Sequence, residues 1–212
     1  MRDRFIFFDF DGVIADSFAV ALDVHKIICP DMTEDDYRKM FEGNVNDWES
    51  AVSHNENCRH DIDWFATYVP RMTNEVRPIE GIGSVIAELA KLYQLIIISS
   101  TITSPIHEFM QKFDLAHHFV EIMGNDVHAS KVEKIKMVFA KYGTSPERCV
   151  FITDTLGDMK EATQAGVGSI VVSWGFNKLG ILAKGDPFRI VHQPHEIPST
   201  VSEYFGRGGS GD

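Results

Sequence analysis

The run Phe5-Ile6-Phe7-Phe8-Asp9-Phe10-Asp11-Gly12-Val13 decides the fold. Its four leading apolar residues show no polar alternation, the pattern of a strand covered on both faces in a parallel sheet. The strand then delivers two carboxylates two residues apart, followed by a glycine suited to a tight turn. Paired carboxylates at a buried strand end can bind a hard cation and also present a nucleophile. The plain alternative is a strand that ends in a polar turn, and the rest of the chain decides between the two.

Outward from this run, short apolar stretches rich in Ile and Val recur at 95–98, 119–123, 149–152 and 169–172. Helical spacing lies between them. Residues 82–92 align Val85, Leu89 and Leu92, and 105–113 align Ile106, Phe109, Met110 and Phe113. Residues 131–142 align Ile135, Val138, Phe139 and Tyr142, with Ser130 as N-cap and Gly143 where a C-cap glycine belongs. This alternation predicts an α/β fold, a Rossmann-like parallel sheet flanked by helices. A short edge strand is expected at 189–191. His192 and His195 beyond it are not read as a metal pair, because a loop containing Pro194 does not hold two imidazoles on one face.

The interval 17–77 breaks the alternation. Phe18, Leu22 and Ile28 form one apolar stripe, and Ile62, Phe65, Val69 and Met72 another. Between them Thr33 precedes Asp36 in a capping-box variant ahead of Tyr37, Met40 and Phe41. The interval reads as a small α-helical cap inserted after the first strand, with Pro78 and Gly81 marking the return to the sheet. The expected division is a core of 1–16 and 78–205, a cap of 17–77 and a flexible C-terminal tail of 206–212.

At 212 residues and 44% hydrophobic, the chain can bury a full core with a modest insertion. Its net charge of -11 argues against nucleic-acid backbones and anionic membranes as partners. Cys29, Cys58 and Cys149 are odd in number, far apart and without a CxxC pair, so reduced thiols are expected. No stretch approaches the ~18 apolar residues of a membrane span, and a cytoplasmic location is expected. Monomer and homodimer both remain open.

In an open parallel sheet, ligands bind beyond the C-terminal strand ends. There the chain places Asp9 and Asp11, then Ser99-Ser100-Thr101, then Thr153-Asp154-Thr155-Leu156-Gly157-Asp158, with Lys131 opening the helix before the last of these strands. Carboxylates, a hydroxyl and an ammonium around one point are the parts needed to hold magnesium and a phosphate together.

On these residues the chain resembles the haloacid dehalogenase-like hydrolase superfamily, in its phosphoglycolate phosphatase-like and β-phosphoglucomutase-like branch with a small helical cap. Asp9-Phe10-Asp11-Gly12-Val13 is the first motif, Ile96-Ile97-Ile98-Ser99 the second, Lys131 the third and Asp154-Thr155-Leu156-Gly157-Asp158 the fourth. The resemblance implies a magnesium-dependent phosphatase acting on a small phosphorylated metabolite. Asp9 would be the nucleophile that forms an aspartyl phosphate, and Asp11 the general acid and base. Ser99, with Ser100 beside it, would bind phosphoryl oxygens, and Lys131 would offset negative charge. Asp9, the Asp11 carbonyl and Asp154 would hold Mg2+, with Asp158 binding through water or orienting the other ligands.

Thr153 and Ser100 stand where the family often has Gly and Asn, and no Pro follows Lys131. Lys134, one turn further along the same face, is the alternative lysine. A phosphosugar mutase of the same superfamily shares all four motifs. A receiver-type phospho-Asp switch is a further alternative, although the helical insertion has no place in one. Arg38, Lys39, Asn44, Asn46, Trp48 and Arg71 are polar or amphipathic cap residues that could face the site, and a solvated surface is the expectation for any single one of them.

Overall fold

The structure is a computed structural model that describes residues 3–44, 57–59 and 61–207. Six parallel strands form its sheet: β1 (Phe5–Phe8), β2 (Gln94–Ile98), β3 (Phe119–Met123), β4 (Cys149–Thr153), β5 (Gly168–Val172) and β6 (Arg189–Val191). Their spatial order is β3-β2-β1-β4-β5-β6. The chain builds outward from β1 in one direction and then returns to build outward in the other, so the switch point lies beside β1, where a binding crevice is expected.

β1 is apolar throughout because both of its faces are covered. Ile6 and Phe8 join a cluster with Ile82, Val85 and Ile86 of α4 (Ile82–Leu89), Ile106 and Phe109 of α5 (Thr103–Lys112), and Val201 of α9 (Ile197–Arg207). Phe5 and Phe7 face Ile135 and Val138 of α6 (Lys131–Tyr142) and Ala162 of α7 (Leu156–Gln164). Each such side chain contributes about 1.5–3 kcal/mol on burial. The short α8 (Leu179–Leu182) sends Leu182 against Met159 and Val171.

Local signals place the helix ends. The Ser130 hydroxyl accepts from the Glu133 amide, and Gly143 closes α6 in the left-handed region at φ 60°. The expected parallel sheet, edge strand β6 and helical insertion after β1 are all present.

Within the insertion lie α1 (Phe18–Ile28), α2 (Glu34–Lys39) and α3 (Trp64–Glu75), and no strand forms among its described residues. Thr33 caps α2 as expected, accepting from the Asp36 amide. Of the expected stripe of Ile62, Phe65, Val69 and Met72, only Met72 is fully buried. Asp63 caps α3, which leaves Ile62 outside the helix, and Tyr68 and Met72 are the buried residues. An aromatic ring with a polar tip takes the inner face because its hydroxyl has a partner there.

The expectation of three reduced cysteines is also corrected. Cys29 and Cys58, which are 29 residues apart, form a disulfide within the insertion, and Cys149 remains a buried thiol whose pKa burial pushes up to about 12. Closing a loop of that length stabilises the fold by roughly 3.6 kcal/mol on the chain-entropy account. The stretch expected to be a tail begins two residues too early, since α9 continues to Arg207. Residues 208–212, like Asn46 and Trp48, lie outside the described residues. None of the described helices is long and apolar enough to cross a membrane.

Candidate active site

Strand register brings the motif residues together. Phe8 pairs with Ile97 on one side and Ile152 on the other, and the Asp9 amide donates to the Ile152 carbonyl at 2.9 Å. Asp9, Ser99 and Asp154 therefore emerge side by side from adjacent strands. Gly12 turns the chain at φ 74°, and a Cβ there would overlap the Asp154 carboxylate, so the turn needs both the backbone freedom and the small size of glycine.

Lys131 lies at the centre of the charges. Its Nζ is 3.0 Å from Asp9 Oδ1 and 2.7 Å from Asp158 Oδ2, and its side chain is 2% exposed. Burial opposes charge on this ammonium, but Asp158 and Asp9 outweigh it and hold its pKa above the usual lysine value. Glu161 of α7 fixes the helix start by accepting from the Lys131 amide at 2.9 Å and from the Ser130 hydroxyl at 3.2 Å. Burial also opposes charge on Asp158, yet Lys131 and the hydrogen bonds to it, including one from the Thr153 hydroxyl at 2.7 Å, hold its pKa low. Thr153, where Gly is frequent, thus supplies a donor.

Asp9, Asp154 and Asp158 are all buried, with one carboxylate oxygen from each lying within 4.8 Å of the others. Burial raises the Asp9 pKa well above the carboxylate range, with Lys131 opposing and Asp158 and Asp154 reinforcing. Burial pushes Asp154 up to about 7 against the lowering effect of the Phe176 amide, which donates to Asp154 Oδ2 at 2.6 Å. The other Asp154 oxygen, Oδ1, is buried with no hydrogen-bond partner. Three hard oxygen donors, one of them without a partner, fit a small divalent cation such as Mg2+.

Asp11 stands apart from this trio. Its Oδ1 accepts from the Tyr68 hydroxyl at 2.6 Å and its Oδ2 from the Thr101 hydroxyl at 2.7 Å. Burial and the neighbouring Asp11 raise the Tyr68 pKa well above its usual value, so Tyr68 stays protonated and donates. Ser99 is buried and accepts from the Thr101 amide at 3.0 Å. Ser99, Ser100, Asp9, Asp11, Lys131 and Asp158 share one cavity of about 140 Å³.

Residues 6–172 match the family described as haloacid dehalogenase-like hydrolase. The chain belongs to the haloacid dehalogenase-like hydrolases. It is 23% identical over 210 residues to a phosphoglycolate phosphatase of Synechococcus elongatus, covering 93% of this chain and 97% of that one. Among solved structures, a haloacid dehalogenase-like family protein from Streptococcus pneumoniae superposes with a TM-score of 0.79 at 22% identity, covering 92% and 97% of the two chains. A predicted phosphoglycolate phosphatase from Haemophilus somnus gives 0.74 at 20%, covering 95% and 99%. The expected membership of the haloacid dehalogenase-like hydrolases is borne out.

In this haloacid dehalogenase-like hydrolase, Lys131 lines the cavity and Lys134 does not. Lys134 Nζ donates to the Ser99 carbonyl at 2.6 Å and to the Gly124 carbonyl at 3.3 Å. Burial, reinforced by the Lys131 charge, lowers its pKa to about 8. It braces the strand ends from behind.

The described polar cap residues that could have faced the site turn elsewhere. Arg38 pairs with Glu34, donates to the Gly175 and Phe176 carbonyls and lies over the Phe18 ring at 3.8 Å. Lys39 pairs with Asp36, Arg71 with Glu75 and Asp23, and Asn44 donates to Glu161. Tyr68, Thr101 and the aromatic residues of the insertion are the site residues that sequence reasoning missed. Thr101 carried a signal, standing two residues beyond Ser99. For Tyr68 the signal was the i, i+4 spacing from Trp64, but its polar partner lies 57 residues away in the chain.

Proposed function

We propose that this hydrolase is a magnesium-dependent phosphomonoesterase working through an aspartyl phosphate on Asp9. The observation that carries the reading is the buried Lys131 ammonium between Asp9 and Asp158, beside an Asp154 oxygen without a partner. That arrangement holds a carboxylate at a strand end, in the same cavity as the Ser99 and Ser100 hydroxyls that can bind phosphoryl oxygens.

In the proposed sequence an Asp9 oxygen attacks phosphorus, and the bond from phosphorus to the ester oxygen breaks. The electron pair leaves on that oxygen, which takes a proton from Asp11. Water then attacks the phosphorus of the aspartyl phosphate and gives its proton to Asp11, which frees Asp9 and inorganic phosphate. Lys131 balances the negative charge where nucleophile and phosphoryl group meet, at an atom fixed before substrate arrives. Tyr68 and Thr101 orient the Asp11 carboxyl group. Asp9, Asp154 and the Asp11 carbonyl would hold Mg2+, with Asp158 orienting Lys131 and the metal's surroundings. When bound, the ion screens repulsion between the anionic nucleophile and the anionic ester. The 17–77 insertion serves as the cap that covers the reacting groups.

Phosphate release from small phosphomonoesters, with and without Mg2+, tests the reading. Release should depend on the metal and disappear in Asp9→Asn and Asp11→Asn. Release that survives Asp9→Asn would rule out the covalent route.

A further inference from the structure

The roof of the cavity has a different chemistry from its floor. The insertion lines it with His25, Tyr37, Phe41, Trp64 and Phe65, and Phe176 joins them from the loop after β5. These rings are packed on one another. Trp64 stacks on Tyr68 with centroids 4.4 Å apart, Phe41 meets Phe176 edge-on at 4.7 Å, and His25 contacts Tyr37 at 4.6 Å. Apart from His25, every described residue that the insertion adds to the cavity is uncharged at neutral pH. The Trp64 indole N–H meets His25 Nδ1 at 2.7 Å, and the same nitrogen lies 3.2 Å from the Ala21 carbonyl.

Among the described residues of the roof, no Lys or Arg is available to a substrate carboxylate. Arg38, Lys39 and Arg71 are engaged with acidic partners, and Lys26, Arg59 and Arg77 are exposed and outside the cavity lining. The stretch 45–56 contains neither Lys nor Arg. The cation that does line the cavity, Lys131, sits between Asp9 and Asp158. A carboxylate on the leaving alcohol would therefore lie against aromatic rings without a counter-charge, and burying an unpaired charge is costly. An uncharged ring or compact apolar group meets matching surface in the roof.

We infer that this site selects phosphomonoesters whose leaving alcohol is uncharged and apolar or aromatic, and disfavours those whose leaving alcohol carries a carboxylate, 2-phosphoglycolate among them. The inference rests on the phosphatase reading above. It separates this chain from what the names of its phosphoglycolate phosphatase relatives say of them.

Benzyl phosphate and 2-phosphoglycolate both release primary alcohols, so comparing them tests the roof with similar leaving chemistry. With Mg2+ present, kcat/KM for benzyl phosphate should exceed that for 2-phosphoglycolate by about tenfold or more. Phe65→Arg, which places a cation in the roof, should cut the ratio by about the same factor. As a second readout on the wild-type protein, the uncleavable benzylphosphonate should inhibit more tightly than phosphonoacetate. Acetyl phosphate, too small to test the roof, reports separately on the phosphatase reading. Asp9-dependent hydrolysis of acetyl phosphate together with equal or better use of 2-phosphoglycolate overturns the inference and leaves the reading standing. No hydrolysis of any of the three compounds overturns the reading and the inference with it.

Discussion

The floor and the roof of one cavity obey different physics. On the floor, strand register sets each functional group and nearly every charged atom has a partner: Lys131 with two carboxylates, Asp158 with Lys131 and Thr153, Asp11 with two hydroxyls. In the roof, the groups that reach the cavity are rings held by other rings. Chemistry that needs charge at fixed points is built where the backbone is most constrained, on the sheet. On the proposed reading, choice of leaving group falls to an insertion whose side chains can vary without disturbing the register below.

If the floor carries the chemistry, its nucleophile should matter most. Asp9→Asn is expected to reduce phosphate release by about 10³-fold or more, measured by steady-state release with Mg2+. A fall of only a few-fold would move the nucleophile elsewhere.

The next effect concerns how the floor is balanced. Lys131→Met leaves buried carboxylates facing one another, and breaking a buried ion pair costs about 3–5 kcal/mol. Urea unfolding in chelator should show a loss of that order, and Mg2+ should restore part of it if the acid trio binds the ion. A loss that Mg2+ leaves untouched would remove the trio from the metal site.

Lys134, bracing the same strands from behind, gives a pH signature. Its folded pKa of about 8 lies below its ordinary 10.5, so between those values the unfolded chain holds the proton and the folded chain does not. Stability from this group therefore rises with pH across that window, by roughly 3 kcal/mol. The difference between wild-type and Lys134→Met unfolding free energies should change by that order from pH 8 to 10.5. A flat difference would show that Lys134 is not held in a low-dielectric setting.

The smallest effect tests the one polar bridge from roof to floor. Tyr68→Phe removes a hydrogen bond to Asp11, worth about 1.5 kcal/mol or roughly tenfold in rate. The loss should fall on kcat for alkyl esters and be much smaller for acetyl phosphate, whose leaving group needs little help from an acid. Equal losses on both substrates would make Tyr68 a packing residue without a role in positioning Asp11.

The floor was largely legible in the amino-acid order. An uninterrupted apolar run announces a doubly covered strand, and Asp9, Ser99, Lys131, Asp154 and Asp158 each follow such a run or open a helix beside one. The choice between Lys131 and Lys134 was not legible, because both lie on one helical face and only the packing of α6 against the strand ends decides which ammonium reaches the cavity. The stripe on α3 was misread because periodicity reports which residues are apolar and cannot show where a tyrosine hydroxyl finds its acceptor. Which polar cap residues reach the site was not legible for a related reason: a charge in an insertion can point into a site or across it, and Arg38 points across.

The sequence by itself determined the parallel α/β sheet, the helical insertion, the family and the acidic cluster, since strand period, turn chemistry and motif order are local properties read along the chain. Tertiary structure alone decided the Cys29–Cys58 disulfide, the partners of Asp11 and the aromatic roof, which has no Lys or Arg among its described residues. These depend on pairs of residues far apart in the chain that meet only when the insertion folds over the strand ends.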